Sequence, residues 1–546
     1  MSASSKKKLR NADDAKKLTE KQLAEQKEAR KLQLYTVLVV TAVVLIAVAA
    51  LCIVVTQAVS NSGVRERSTV AATVGDHQIS NAELSYYYLD SVNNFVNNYG
   101  SYAAMFGLDV TKALDEQYYD EEAGQTWADY FISGAIDTAK NTYALADAAA
   151  SDGYSLSESE QDSVDSTVST MAVYAKLGGY SNTKQYLKAI YGNGATEESY
   201  RTYVERSVLA DSYAKNYAQS LTYTDEQLRA EEQNNYNKYS VYSYNSYFVS
   251  ASKFLEGGTT DEDGKTTYSE LETNASVVAA QKAAKELAES GITDVEALDA
   301  AIAAMDINKD TTASSTAYTD TAYDSINSVI LDWVTSSSRK AGDITSIEST
   351  TVSTDENGNE TVKVSGYYVV LFRGSNDNNY PLANVRHILV TPEGGTTDSK
   401  GNVTYSDEEM AAAKAAAEEI LATWQSGEAT EDSFAALASE KSDDPGSKDN
   451  GGLYEDVYPG QMVAAFNDWC FTEGRKSGDT GIVETEYGCH VMYYSGDSDT
   501  TYRDYLIKRT LSAADYSEWY TALTGAVSTA TESTKYLRTD IVLSST

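Results

Sequence analysis

Residues 331–343 read LDWVTSSSRKAGD and residues 467–479 read NDWCFTEGRKSGD, with Asp-Trp, Arg-Lys and Gly-Asp at identical spacing. Each copy is followed by a strand-like segment that opens on glycine, GYYVVLFRG at 366–374 and GCHVMYYSG at 488–496. Each is preceded by an alanine-rich stretch of helical period, 275–289 and 408–424. Further upstream lies a β-rich run, YSYNSYFVS at 242–250 and NVRHILVTP at 384–392. One shared tripeptide would be coincidence, but an ordered series of elements is a βαα…αβ unit present twice. The expected fold class is multidomain α+β.

At 546 residues the chain exceeds a single hydrophobic core, and three or four domains are expected. Its formal charge is −38, unevenly placed: residues 1–31 hold ten Lys or Arg against five Asp or Glu, so the acidity falls on the remainder. A chain this acidic repels nucleic acid, and no basic stripe with aromatics occurs, so no nucleic-acid partner is expected. Three cysteines, Cys52, Cys470 and Cys489, build neither a disulfide framework nor a CxxC metal site. Whether Cys470 and Cys489 pair stays open.

Tyr35 to Val55 read YTVLVVTAVVLIAVAALCIVV without a charge, long enough as a helix to cross a bilayer. Lys27, Arg30 and Lys31 stand just before it, which places the N-terminus in the cytoplasm. The expected order is a cytoplasmic basic segment over 1–34, a transmembrane helix over 35–58, and an extracytoplasmic remainder. Cleavage near Ala58–Ser60 is the alternative to a retained anchor. A lipidated Cys52 is disfavoured by Leu51, which stands where a small residue is needed. Outside the membrane there is no ATP supply, and no cofactor or metal is expected.

After the span, Val70–Val74 reads as a short strand that meets a Gly-Asp turn, and Ser80-x-x-Glu83 as a capping box opening a helix. Helical patterns continue to about residue 240, with Leu84, Tyr87, Tyr88, Val92 and Phe95 on one face. Many of the 42 tyrosines fall here, either as adaptable contact surface or as half-buried fillers between helices.

The chemistry-bearing residues lie in the second copy. His387 and His490 stand on two strand-like runs that the repeat predicts to be neighbours in one sheet. Between them come SDDPGSKDNGG at 442–452 and YPGQMVAAF at 458–466, where Met462 and Phe466 sit one helical turn apart and would clamp an apolar ring. The blocks RHILV, GQM…F and G-x-H occur in this order. Residues 381–497 thereby resemble a parvulin-type peptidyl-prolyl isomerase domain, and the whole outer part resembles the extracytoplasmic foldases PrsA and SurA.

That resemblance implies a helical chaperone domain over 68–240, a degenerate parvulin-like domain over 241–375 and a complete parvulin domain over 381–497, the latter two built on antiparallel sheets with flanking helices. It also implies a C-terminal helical segment over 500–546, with 503–525 packing back on the chaperone domain. His387, Asp444, Thr485 and His490 would be catalytic, and Tyr454, Gln461, Met462 and Phe466 would hold substrate. Asp443, adjacent to Asp444, leaves the acidic position open between the two. Partners would be unfolded or newly secreted proteins containing proline, and the membrane through one helix; clients and oligomeric state stay open. The rival readings are a non-enzymatic holdase and an envelope scaffold.

Two departures from the family matter. Gly452-Leu453-Tyr454-Glu455 replaces the relatives' Gly-Asp-Leu-Gly and alters the rim. The loop TPEGGTTDSKGNVTYSDEE after His387 holds one lysine and no basic cluster, so no preference for phosphorylated substrates is expected. In the first copy Tyr247 and Tyr368 stand near the positions of His387 and His490, with Ile330 near that of the Met…Phe pair, so this copy is expected to be inactive. Gly264-Lys265-Thr266 and Asp306-x-Asn308-x-Asp310 match phosphate and calcium loops too poorly to count.

Overall fold

A computed structural model describes residues 20–354, 358–398 and 401–543. Residues 1–19 of the expected basic segment, residues 544–546 of the expected C-terminal segment, and Ser399 with Lys400 of the acidic loop lie outside them. Two units are distinguished, Met1–Leu221 with Asp515–Thr546, and Thr222–Ala514.

The first unit opens with a helix over Glu20–Ser62, whose stretch Lys27–Ser62 contains an 18-residue window with a mean hydropathy of 3.3 and is long and apolar enough to cross a membrane. Strands Val70–Val74 and His77–Ser80 then form an antiparallel hairpin, joined on its other edge by Thr529–Thr531. Ser80 caps the helix Asn81–Tyr99, its hydroxyl accepting the Glu83 N–H at 3.2 Å. The reciprocal half of the expected capping box is missing. Glu83 turns inward instead, accepting the Tyr143 hydroxyl at 2.5 Å and pairing with Arg206 at 2.5 Å, since a half-buried guanidinium needs a counter-charge. Leu84, Tyr87, Tyr88 and Val92 are buried against the helix Trp127–Ser151 and its neighbours. Tyr516, Trp519 and Leu523 pack on Leu145, Ala149 and Tyr213, and Leu537 and Ile541 enter the main core.

The second unit holds two four-stranded sheets. The first comprises β1 (Val241–Ser250), β2 (Thr316–Ala322), β3 (Ile344–Thr354) and β4 (Glu360–Asn376), in the order β2-β1-β4-β3. The second comprises β5 (Pro381–Val390), β6 (Leu453–Val457), β7 (Thr480–Thr485) and β8 (Gly488–Thr501), in the order β6-β5-β8-β7. Both are antiparallel throughout and share one topology. Each buries one face under two helices. In the second sheet Ile388, Val491 and Tyr493 meet Ala413, Ala417 and Trp424 of Asp407–Ser426, with Phe434 and Ala438 of Glu431–Lys441. Its other face carries Val385, Val483 and Met492 against Phe466 and Cys470 of a short helix, Ala464–Cys470.

The repeated sequence has a structural explanation. Arg339 stacks on Trp333 at 4.8 Å and Arg475 on Trp469 at 3.8 Å. In each copy the glycine and aspartate that follow bond the last strand, Gly342 N–H to Phe372 O at 2.9 Å and Gly478 N–H to Tyr494 O at 2.8 Å. This clasp ties the segment after the short helix to an inner strand of each sheet. A second repeated element escaped the sequence reading: GGTTDEDGKTTYSELE (257–272) and GGTTDSKGNVTYSDEE (394–409). Both form a hairpin ahead of the first helix, with Glu272 and Glu409 accepting Gly258 and Gly395 N–H at 3.0 Å. Gly264 and Lys265 lie in the turn of the first of these hairpins and Thr266 opens its second strand, and Asn308 is committed to the Tyr247 hydroxyl and the Ile302 carbonyl.

Cys470 and Cys489 are both free and buried, on opposite faces of the second sheet. Arg503 is 1% exposed and holds the segment between the sheets. Its guanidinium donates to Glu232 at 2.6 Å and to the carbonyls of Asp377 and Tyr236 at 2.8 Å each, and stacks on Tyr236 at 4.0 Å.

Candidate active site

On β5 and β8, His387 pairs with Met492 and His490 with Leu389, so the two imidazoles are diagonal neighbours on one sheet face. Their rings stack at 5.1 Å with the Nδ1 atoms 3.0 Å apart, and both are nearly fully buried. Nε2 of His387 lies 2.9 Å from Oδ2 of Asp444 and 3.0 Å from the Ser447 hydroxyl. On the other side Thr485 Oγ1 is 2.8 Å from Nε2 of His490.

The proton positions follow from the hydrogen-bond network. Asp444 accepts from Ser447 at 2.5 Å, from Tyr454 at 3.0 Å and from the Gly446 N–H at 3.1 Å. The His387 bond foremost, then those of Ser447, Gly446 and Tyr454, hold its carboxyl well below the usual range, so it is ionised and only accepts. Nε2 of His387 is then a donor, and its Nδ1 accepts from Nδ1–H of His490. Nε2 of His490 is left as an acceptor for the Thr485 hydroxyl. Thr485, His490, His387 and Asp444 thus form a one-way chain of donors ending on a carboxylate.

Burial foremost, then the adjacent His387, pushes His490 down to about 4, so it stays neutral at ordinary pH. Burial and the Asp444 charge push the Tyr454 hydroxyl up to about 12. A pH dependence follows. Between the unfolded value of 6.5 and about 4 the unfolded chain binds one proton more at His490 than the folded chain does. Stability is therefore expected to rise with pH across that window, by up to about 3 kcal/mol. Asp444, whose pKa is also lowered on folding, has the same sign at lower pH, contributing above its unfolded pKa and losing that contribution as pH falls through its lowered folded value. Hydrogen exchange of β5 and β8 amides at pH 4.5 and 7 measures the slope, and His490→Gln should flatten it. An unchanged slope in that variant would refute the assignment.

The substrate-side residues lie above this floor. Phe466 stands edge-on to both imidazoles, 5.4 Å from each, and Tyr454 is 5.4 Å from His387. Met462 and Phe466 join one apolar cluster but do not share a helical turn. Val463 is extended, at φ −56° and ψ 149°, and the helix starts only at Ala464. The turn after Pro459-Gly460 delivers Met462 to the site instead. Gln461 is exposed, and its side-chain oxygen accepts the Tyr458 N–H at 3.0 Å, which fixes that turn. Asp443 bonds the Thr391 N–H at 3.0 Å, so of the two adjacent acids Asp444 faces the histidines. Ser447, 2% exposed, was not singled out from the sequence; its only signal there is the Asp-x-x-Ser spacing. A cleft of about 380 Å³ lined by Leu389, Thr391, Val403, Tyr405 and Tyr487 opens beside His490, on the strand positions next to it.

Gly452 makes the altered rim possible. At φ +74° its carbonyl accepts the His387 N–H at 2.9 Å, and a Cβ there would lie 2.3 Å from the His387 carbonyl oxygen. Gly452→Ala is therefore expected to destabilise the second sheet by about 2–3 kcal/mol, read as a lowered urea midpoint.

The register corrects one expectation for the first copy. Gly366 pairs with Ser250 and Tyr368 with Phe248, just as His490 pairs with Leu389. The position of His387 is therefore held by Ser246; Tyr247 points to the helix-covered face, as Ile388 does. Tyr368 does occupy the position of His490, and its hydroxyl accepts from Asn327 at 3.2 Å. The paired histidines have no counterpart in this copy.

Comparison with known proteins gives a family. Residues 368–495 match the model described as "PPIC-type PPIASE domain", a range that starts inside β4 and ends inside β8. A search of curated proteins finds no match to the chain. Among solved structures, the chain is similar to a PrsA peptidylprolyl isomerase from Bacillus anthracis, at 22% identity and a TM-score of 0.18, over 28% of this chain and 59% of that one. A PrsA from Bacillus cereus aligns at 16% identity and a TM-score of 0.18, over 60% and 85%. A SurA-like chaperone of Campylobacter jejuni aligns at 24% identity and a TM-score of 0.17, over 26% and 50%. The chain thus spans less than two thirds of the first of these, and what is shown is a match over one domain. Residues 368–495 carry a PPIC-type PPIase domain, the parvulin type of peptidyl-prolyl isomerase.

Proposed function

We propose that the protein is a membrane-anchored extracytoplasmic folding factor that binds unfolded secreted proteins and isomerises their X-Pro bonds. The observation that carries the isomerase reading is the His387–His490 pair at 3.0 Å, closed by Asp444 and Thr485 and roofed by Phe466. Rotation about an X-Pro bond breaks no covalent bond, so no nucleophile, metal or cofactor is called for. The barrier is about 18–20 kcal/mol, and the planar amide is the more polar and better hydrated form. A dry, apolar seat for the proline ring disfavours that form, and a fixed set of dipoles favours the twisted one. Met462, Phe466 and Tyr454 supply the seat; His387, Asp444, Thr485 and His490 keep the dipoles from reorienting. Gln461 positions Met462 through the turn it closes.

Under this reading the helix within 35–58 is the anchor, 1–34 lies in the cytoplasm, and the rest is outside. Residues 68–240 serve as the chaperone domain, 241–375 as an inactive relative of 381–497, and 500–546 as the segment that completes the chaperone domain. The acidic loop argues against selection for phosphorylated substrates. The test is cis/trans isomerisation of short X-Pro peptides by the full chain in detergent. Catalysis lost in His490→Ala supports the reading; no catalysis by the folded protein leaves a holdase.

A further inference from the structure

Between the helices Asn81–Tyr99 and Trp127–Ser151 the chain makes an excursion, a 3-10 turn over Gly100–Phe106 and a small hairpin of Tyr118–Asp120 with Gln125–Thr126. Large apolar side chains stand outside on it: Met105 is 82% exposed, Tyr102 58% and Phe106 53%. The aromatic rings form one connected surface. Tyr99 and Phe106 are 5.8 Å apart, Phe106 and Phe95 5.9 Å, Phe95 and Trp127 5.5 Å, and Trp127 and Tyr119 5.0 Å. Trp127 is 1% exposed, and its indole N–H is buried without an acceptor. Such a donor costs about 1–3 kcal/mol until something supplies one. Beside the rings opens a hollow of about 490 Å³ lined by Ala103, Ala104, Leu108 and Val110.

The rim is acidic. Glu116, Asp120, Glu121 and Glu122 are exposed, while Lys112, the one Lys or Arg between Phe95 and Phe131, is already paired with Asp109 at 3.3 Å. An anionic lipid surface meets repulsion here, and a second copy would set acid against acid. A carbonyl-rich, cationic, apolar partner meets neither.

We propose that this aromatic platform captures unfolded polypeptide segments whose aromatic or aliphatic residues are flanked by lysine or arginine. It rests on the folding-factor reading above and gives the holding function its site and its selectivity. The exposed rings bury the apolar side chains, and the acidic rim draws and orients the cationic flanks.

The test uses the full chain in detergent and fluorescein-labelled Phe/Leu-rich peptides flanked by Lys or by Glu. The Lys-flanked peptide is expected to bind about tenfold more tightly at low salt, with the difference shrinking in ~1 M salt. The pair Met105→Ser with Phe106→Ser removes exposed side chains only. It should weaken that binding about tenfold and leave isomerisation of a short X-Pro peptide unchanged. Glu121→Lys with Glu122→Lys should abolish the preference. Equal binding by the serine variant, or equal binding of the two peptides, overturns the platform while the folding-factor reading stands. A native chain that binds no unfolded peptide overturns the holding function itself, and the platform with it. Variants that alter only sedimentation or vesicle binding, and not peptide binding, overturn the proposal in favour of a second copy or a lipid surface.

Discussion

Replacing Asp444 by Asn is expected to lower kcat/KM for X-Pro peptides about 100-fold while leaving the second sheet folded. The substitution keeps the shape and removes the charge. One carboxylate oxygen now receives three side-chain donors, from His387, Ser447 and Tyr454. An amide offers either a weaker acceptor or a donor facing donors. Nε2–H of His387 is then no longer the preferred tautomer, and each bond that depends on it, through His490 to Thr485, loses its direction. Asp443→Asn is the matched control, because its carboxylate holds the Thr391 N–H and faces away from the histidines; its activity should stay within about twofold. Ser447→Ala should fall between, since it removes one of the three donors. Peptide isomerisation and a thermal melt on the same samples decide the matter. An Asp444→Asn protein as active as the Asp443→Asn control would show that the relay is architecture and not chemistry.

The second large effect is on stability. Arg503→Met should cost about 3–5 kcal/mol in the second unit, appearing as a lowered urea midpoint with the relay's geometry unaltered. The guanidinium is buried, and it neutralises Glu232 while closing two backbone carbonyls and the Ser240 hydroxyl. Methionine fills the space and supplies none of these bonds, so one Glu232 oxygen and two carbonyls lose their donors together, while Arg229 keeps the other Glu232 oxygen. Adding Glu232→Gln should recover only a small part of the loss, because Arg229 still neutralises that carboxylate and the unbonded carbonyls remain. A single variant as stable as the native chain would mean that water replaces the arginine at no cost.

How much of this could be read beforehand differs by kind of signal. β-rich runs carried the sheets: β1, β4, β5 and β8 cover the strand-like segments, and β8 opens on Gly488 as expected, whereas β4 begins at Glu360, ahead of Gly366. Paired histidines were legible because the repeat implied adjacent strands. Register was not. A slip of one residue exchanges the two faces of a strand, which is why Tyr247 stood in for Ser246. Helix starts were equally soft: Pro459-Gly460 and the extended Val463 delay the short helix, so Met462 reaches the site from a turn. Ser447 and Arg503 act through partners distant in sequence, and nothing local marks a serine or an arginine for that purpose. Glu83 shows the same limit in reverse, where a local capping pattern yielded to a buried cation.

The Trp–Arg clasp survives in both sheets, whereas the histidines stand in only one. Scaffold and reactivity in this chain are therefore carried by different residues. A pattern built on D-W, R-K and G-D counts two domains, and one built on facing imidazoles counts a single reactive one. Any census of such enzymes that keys on the more durable signature will overstate how many active centres a duplicated chain contains.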